Sequence, residues 1–437
     1  MKYKMYNVDK LKKEINDNSI NERCRKNKKD FTRNRKLTPK DLIYYSINNR
    51  GKTTKMELYD FIEQYNYENV SDVALLKQRE KLNEDIFKEL NTSSLIDFYH
   101  LFKEEVKDYK GYILTAIDGS DCEIPNTPLT RERYKSISGK NDGKVARIKL
   151  SNCYDLLNHY VLDTEVEEYK HSENELAQRH MKKTEEIISD YPIVSIRDRG
   201  YLSLSYMFHS VMENKKFVIR LNQRYFKLEQ NLMTTNDEWV EIQYQYDRIR
   251  KHIEDDKELY NYYESGKTIK IRFVNIELPT GEVETIMTNL DSDKFSTEDI
   301  NYIYQLRWGI ETSYAYLKES MMITNISSSK DCIIKQEIYS QMMVYNIMQS
   351  ITNDLENDID QYKYKHPMKI NINMAIGFVK RFLLKILLED NEEEKQRLSN
   401  LLFENVLKNI VPIRKGRKYE RNKLHKNKHP LNKRKAI

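Results

Sequence analysis

Three carboxylates, and the residues spaced around one of them, are where this sequence offers chemistry. Asp118 follows the apolar, β-prone run Gly111-Tyr-Ile-Leu-Thr-Ala-Ile, and Asp198 follows Pro192-Ile-Val-Ser-Ile-Arg; a Gly comes within two residues of each. Glu311 lies in Tyr304-Gln-Leu-Arg-Trp-Gly-Ile-Glu-Thr-Ser-Tyr-Ala-Tyr-Leu-Lys318. On a helix at about 100° per residue, Arg307, Glu311 and Lys318 fall at roughly 300°, 340° and 320° from Tyr304, so the four share one narrow stripe. Ile303, Leu306, Ile310, Tyr314 and Leu317 form a second stripe roughly 90° away, suited to packing on a sheet. Two aspartates at the ends of adjacent strands, with a glutamate on a helix packed across them, would make an all-oxygen cage for Mg²⁺ or Mn²⁺. That cage suits two-metal phosphoryl transfer, with Arg307 and Lys318 holding phosphates next to the reacting one. Plainer readings exist for each piece: a solvated helix face for the stripe, and a turn residue for either aspartate.

Positioning those residues requires a sheet. Gly111–Asp118, Val145–Leu150 and Tyr160–Val166 read as a three-stranded meander, followed by a Glu- and Lys-rich helix from about Asn174 to Ser189. Pro192–Arg197 then reads as a buried strand delivering Asp198. Further β signals occur at Lys216–Leu221, Thr268–Val274 and Glu284–Leu290, with a charged, Tyr-rich stretch between the first two. Before the sheet the chain reads as helical: Thr38-Pro39 is an N-cap followed by Pro at the first helical position, and Leu75–Leu90 has helical apolar spacing. From Ser296 the pattern is helical nearly to Asn409. Asp121 is expected in the turn after Asp118. His100, His159, His180 and His209 lack partners at metal-ligand spacing and are expected to be structural.

The Tyr304-x2-Arg307-x3-Glu311-x6-Lys318 pattern resembles, without a gap, the Y-x2-R-x3-E-x6-K signature of DDE transposases of bacterial insertion sequences, the "family four" branch. Leu306-Arg-Trp-Gly-Ile-Glu311 is similar to that family's R-W-x-I-E, Asp118-Gly-Ser to its first acidic motif and Asp198-Arg-Gly-Tyr to its second. The resemblance spans about residues 106–345. It implies a ribonuclease-H-like α/β catalytic core interrupted by a β-rich insertion and flanked by helical regions. It further implies an enzyme that cuts DNA at transposon ends and joins the freed 3′ ends to a target. Carried over, Asp118, Asp198 and Glu311 would be the metal-binding catalytic triad, with Mg²⁺ or Mn²⁺ as cofactor. Tyr304, Arg307 and Lys318 would contact transposon-end phosphates. Trp308 falls where the motif has an aromatic, which in this family can stack on a flipped base. The implied division is a helical DNA-binding region at 1–105, core at 106–213 and 284–345, insertion at 214–283, and a helical region with a basic tail at 346–437. The implied partners are double-stranded DNA at ends and target, and a second copy of the chain in the DNA complex. A nuclease or resolvase of the same fold, and a DNA-binding derivative without activity, are the alternatives.

Composition agrees with a DNA-handling chain. Over 437 residues the net charge is +6, but residues 1–36 carry 13 Lys/Arg against 5 Asp/Glu and residues 414–437 carry 11 against 1. An acidic middle with basic ends points to ends that grip phosphates. The last run is too dense in charge for a packed element and is expected to order only when bound. Only 11 Gly and 8 Pro argue for long helices and short loops, against a turn-dense all-β chain. Mean hydropathy is −0.80 and no apolar run approaches the length of a membrane span. The start lacks the apolar core of a signal peptide. Four scattered cysteines support neither a zinc site nor a disulfide framework, and Cys122 and Cys153 are expected to be small buried residues. A cytoplasmic protein that joins the nucleoid when bound is the expectation.

Overall fold

Period-two alternation in two parallel strands decides where the acids go. In the computed structural model, which describes residues 2–33, 35–138, 144–221, 225–242, 250, 254–277 and 281–413, β1 (Ile113–Glu123) pairs in parallel with β5 (Ile193–Arg197). Ile113 and Ile117 face one side of the sheet with Ile193, while Leu114, Ala116, Val194 and Ile196 face the other. Asp118 and Asp198 continue the second set. Both therefore emerge on the face against which the helix carrying Glu311 packs through Ile303, Ile310 and Tyr314.

The described strands form one nine-stranded mixed sheet and a separate two-stranded one. β2 (Ser136–Ser138), β3 (Lys144–Asp155) and β4 (Val161–Glu168) follow β1; β3 is antiparallel to β1, and β2 and β4 both pair with its far edge. β6 (Lys216–Arg220) adds a third parallel strand beside β5. The order β4-β3-β1-β5-β6, with β3 alone reversed, is the ribonuclease-H-like arrangement expected from the sequence. β7 (Asp237–Ile242), β8 (Ile269–Glu277) and β9 (Val283–Thr288) extend it as an antiparallel flap whose own core includes Phe217, Ile271, Phe273 and Met287. The sequence division at 214 assigns β6 to the insertion, whereas its pairing with β5 places it in the core sheet.

Helix Glu173–Ile187 covers one face. The 26-residue helix Asp331–Glu356, buried almost all round, runs through the other layer and is wrapped by helices from both ends of the chain. Thr38 and Ser296 each close a capping box, with Asp41 and Asp299, so both predicted helix starts are formed.

Several local expectations give way to tertiary bonds. The run Leu75–Leu90 is split between helices Asp72–Arg79 and Ile86–Leu101. Leu82 bridges to Arg25, the Asn83 N–H donates to the Cys24 carbonyl at 2.8 Å, and Gln336 bonds the carbonyls of Arg79 and Leu82. Those bonds satisfy backbone that helix would otherwise use. Nor is the chain helical without interruption after Ser296: it breaks before Asp331 and again where β10 (Met368–Ile370) later meets β11 (Ile410–Pro412). The basic run from Arg414, and residues 243–249 and 251–253 of the Tyr-rich stretch, lie outside the described residues.

Candidate active site

Asp118 is not at a strand end. β1 continues to Glu123 because β3 pairs with it throughout, so Asp118 sits where the parallel pairing to β5 stops, opposite Asn152. Asp121 is accordingly in the strand rather than in a turn. Asp198 does end its strand; the last registered pair, Ile117 with Arg197, sets the two aspartates side by side on neighbouring strands, roughly 5 Å apart in backbone.

The Glu311 helix has a break. Thr297–Leu306 and Trp308–Ala315 meet at Arg307, where N–H bonds run to the third residue back (Arg307 to Tyr304, and Ile310 to Arg307, both 3.1 Å). Gly309 lies against Leu156; a Cβ there would come within 3.3 Å of its Cδ2. The segment then loosens into a π-turn, Tyr316–Ser320, which carries Lys318. Tyr314 pins the helix to the sheet, its hydroxyl donating to the carbonyls of Asp118 (2.7 Å) and Leu150 (3.2 Å).

Of the predicted stripe, Tyr304, Arg307 and Glu311 come together. Arg307, 7% exposed, donates to Glu311 Oε1 at 2.9 Å and lies between the rings of Tyr304 and Trp308. Tyr304 is buried with its hydroxyl unpartnered, and Trp308 is 49% exposed. Lys318 donates to Ser120 Oγ and to the Asp121 carbonyl, fixing it beside the strand of Asp118. Burial pushes the Asp118 carboxyl up to about 6, with Glu311 and Asp198 adding to the rise against the Gly119 N–H and Arg307. Burial lowers the Arg307 guanidinium, but Tyr304, Asp198 and Glu311 together leave it raised.

Oxygen donors with unmet charge fit a hard divalent cation. One Asp198 oxygen, Oδ1, is buried with no partner, and burial, with Glu311 and Asp198 nearby, opposes the charge on Asp118. Among the described residues no three His, Cys, Asp or Glu side chains are drawn close enough to share an ion as they stand. Glu311 is paired with Arg307, whose charge is also felt by Asp118 and Asp198.

No sequence motif points to Glu173, whose carboxylate lies at the back of the same point, 3.6 Å from a Cβ built on Gly119 and 3.5 Å from one on Gly200, and pairs with Lys149 at 2.9 Å. Equally unsignalled is a buried relay in which Asp163 Oδ2 meets His180 Nδ1 at 2.7 Å and His180 Nε2 meets Ser151 Oγ at 3.0 Å. Ser151 in turn reaches the Asp118 carbonyl at 3.4 Å. His180 is thus structural, as are His100 and His209, which pair with Asp190 and Asp256. Cys122 and Cys153 are buried.

Known proteins resemble the chain over the same stretch. The family model for the transposase DDE domain matches residues 109–347. The transposase InsG for insertion sequence element IS4 of Escherichia coli (strain K12) is 19% identical over 382 residues, covering 85% of this chain and 82% of that protein. A solved synaptic complex of piggyBac transposase with hairpin DNA aligns over 91% of this chain and 81% of its own at 10% identity, with a TM-score of 0.42. No described helix is long and apolar enough to cross a membrane. The domain model covers more than half of the chain, from just before β1 into the long buried helix, and the chain belongs to the DDE transposases, the metal-dependent enzymes that cleave DNA and transfer its strands.

Proposed function

We propose that this transposase holds its divalent ions, Mg²⁺ or Mn²⁺, on Asp118, Asp198 and Glu311, and grips DNA with Tyr304, Arg307, Trp308 and Lys318. The observation that carries the assignment is the pair of side-by-side aspartates on one sheet face, one with a buried unpartnered oxygen and the other with its charge opposed by Glu311. When bound, such ions acidify an attacking water or 3′-hydroxyl and stabilise the leaving oxygen. Arg307 acts twice. It restrains Glu311 until DNA arrives, then turns its guanidinium to a phosphate, which frees Glu311 toward the aspartates. Lys318, already anchored on Ser120 and Asp121, offers its remaining N–H to a neighbouring phosphate. Trp308, the exposed aromatic beside Arg307, supplies a ring on which a displaced base can stack.

In this reading the helical region 1–105 contributes end binding, the core at 106–220 and 284–345 does the chemistry, residues 221–283 form the insertion, and 346–437 form the C-terminal region. Two copies act on paired ends, in the cytoplasm at the nucleoid. The test is cleavage of a labelled duplex carrying the element's end. Cleavage should require Mg²⁺ or Mn²⁺, stop with EDTA, and vanish in Glu311→Ala while that variant still shifts the duplex. Near-normal cleavage by Glu311→Ala would remove Glu311 from the set. Light scattering of the complex tests the pairing: one chain per end with full joining activity contradicts it.

A further inference from the structure

Where the Glu311 helix ends, the surface opens into a cleft of about 600 Å³ built by three segments distant in sequence. Arg50 comes from the N-terminal helical region, Ser320 from the π-turn, and Lys380, Arg381 and Lys385 from helix Ile372–Leu388. Four of these five are cations, and among the described residues none of the four has a carboxylate within ion-pair distance. Lys12, Arg23, Lys26 and Lys52, by contrast, each have one.

Among the described residues the cleft's charge is met only in part, by the field of Glu57 on Lys380 and Arg50. The Arg50 guanidinium donates at 3.4 Å to Gln64 and to the Lys380 carbonyl, also interacts with the Tyr65 hydroxyl, and its Nε is buried without a partner. Lys380 donates to the Met321 carbonyl at 3.0 Å. Glu57, the carboxylate whose field reaches Lys380, is buried and accepts the backbone N–H groups of Arg50 (2.8 Å) and Lys52 (2.7 Å). Burial outweighs Glu57 and, with Arg50 nearby, pushes the Lys380 ammonium down to about 8. A concave wall of one sign focuses its field outward and favours a polyanion.

Position selects the polyanion. Ser320 is nine residues beyond Glu311, roughly 13 Å along the helix axis and about four base-pair steps of B-DNA. Lys318 lies on the way. We infer that this cleft, through Arg50, Lys380, Arg381 and Lys385, binds the phosphodiester backbone of duplex DNA about four base pairs from the reacting phosphate. The placement rests on the reading that the reacting phosphate sits at Asp118, Asp198 and Glu311.

Arg381 and Lys385 are exposed, so Arg381→Ala/Lys385→Ala removes two charges without touching the core. Binding of a short labelled duplex by the full chain, in EDTA and across a salt series, should lose about 1.8 from the slope of log K against log salt, at roughly 0.9 per contact. Affinity at low salt should fall on the order of tenfold, with an unchanged melting temperature showing that the fold is kept. An unchanged slope overturns the site. Binding here needs neither metal nor cleavage, so active Glu311→Ala would undo the triad and leave this result standing. A neutral methylphosphonate placed about four base pairs from the cleavage point should weaken wild type more than the double variant. Equal weakening of both overturns the placement.

Discussion

Asp118→Ala and Asp198→Ala should each abolish strand cleavage and leave duplex binding within a few-fold of wild type, because the carboxylates are proposed to hold ions rather than DNA. A gel-shift and a cleavage assay on the same preparations check this. Arg307→Ala should reduce both, since the side chain that restrains Glu311 is also the one proposed to take a phosphate. The three carboxylates proposed to hold the ions stand out in the sequence because they sit in short motifs of fixed spacing. Arg50 and Lys380 do not, because a cleft assembled across 330 positions leaves no mark in any local pattern. His159 illustrates a third kind of residue, one whose neighbours set its protonation. Burial, then Lys107 and Lys369, push its imidazole down to about 4. The folded value lies below the ordinary 6.5, so the unfolded chain binds more protons between those limits. Stability should be complete above about pH 6.5 and decline as pH falls toward about 4. His159→Asn should flatten that part of the melting-temperature profile, Asn being tolerant of the left-handed φ of 63° found there.

Helix Glu173–Ile187 is docked by polar as well as apolar contacts, and this makes it testable as an element. His180→Leu would leave Ser151 without its imidazole and Asp163 with Lys88 as its remaining partner. The expected loss is roughly 2–4 kcal/mol in urea unfolding, from a buried carboxylate and a buried hydroxyl left short of partners. β1 and β5 were readable as continuous apolar runs because both of their faces are covered, and the Ile303–Leu317 stripe because one face of its helix packs on the sheet. Element ends were readable only where local chemistry decides them, as at the Thr38 and Ser296 caps. Gly119 suggested a turn, but pairing with Ser151 carries β1 past it. Similarly, the helical spacing of Leu75–Leu90 held no hint that Gln336, roughly 250 residues on, would bind the carbonyls that end the first helix.

At the scale of the molecule, the two basic ends have different fates. Lys2, Lys4, Lys10, Lys12, Arg23, Lys26 and Lys36 are all in ion pairs, most with carboxylates from other parts of the chain. Tyr3, Val8, Leu11 and Ile15 of the same segment are buried. Seven of the thirteen cations of this end thus fasten the helical layer, which leaves fewer of them to grip phosphates than its charge alone suggested. The second end, Arg414–Ile437, has 11 Lys/Arg against one Glu, so its charge cannot be cancelled from within. Non-specific affinity should come mostly from there. Each Lys or Arg that meets a phosphate releases condensed counterions and adds about 0.9 to the salt slope. Deleting Arg414–Ile437 should flatten that slope by the sum over its contacts and weaken binding to any duplex about equally. Preference for the element's own end over random DNA should survive, since that is assigned to the helical region before residue 105 and to the Glu311 helix. The measurement is paired titrations of end and random duplexes over a salt series, with and without the tail. A slope unchanged by the deletion would mean that the tail is merely solvated; a lost preference would move end recognition into it.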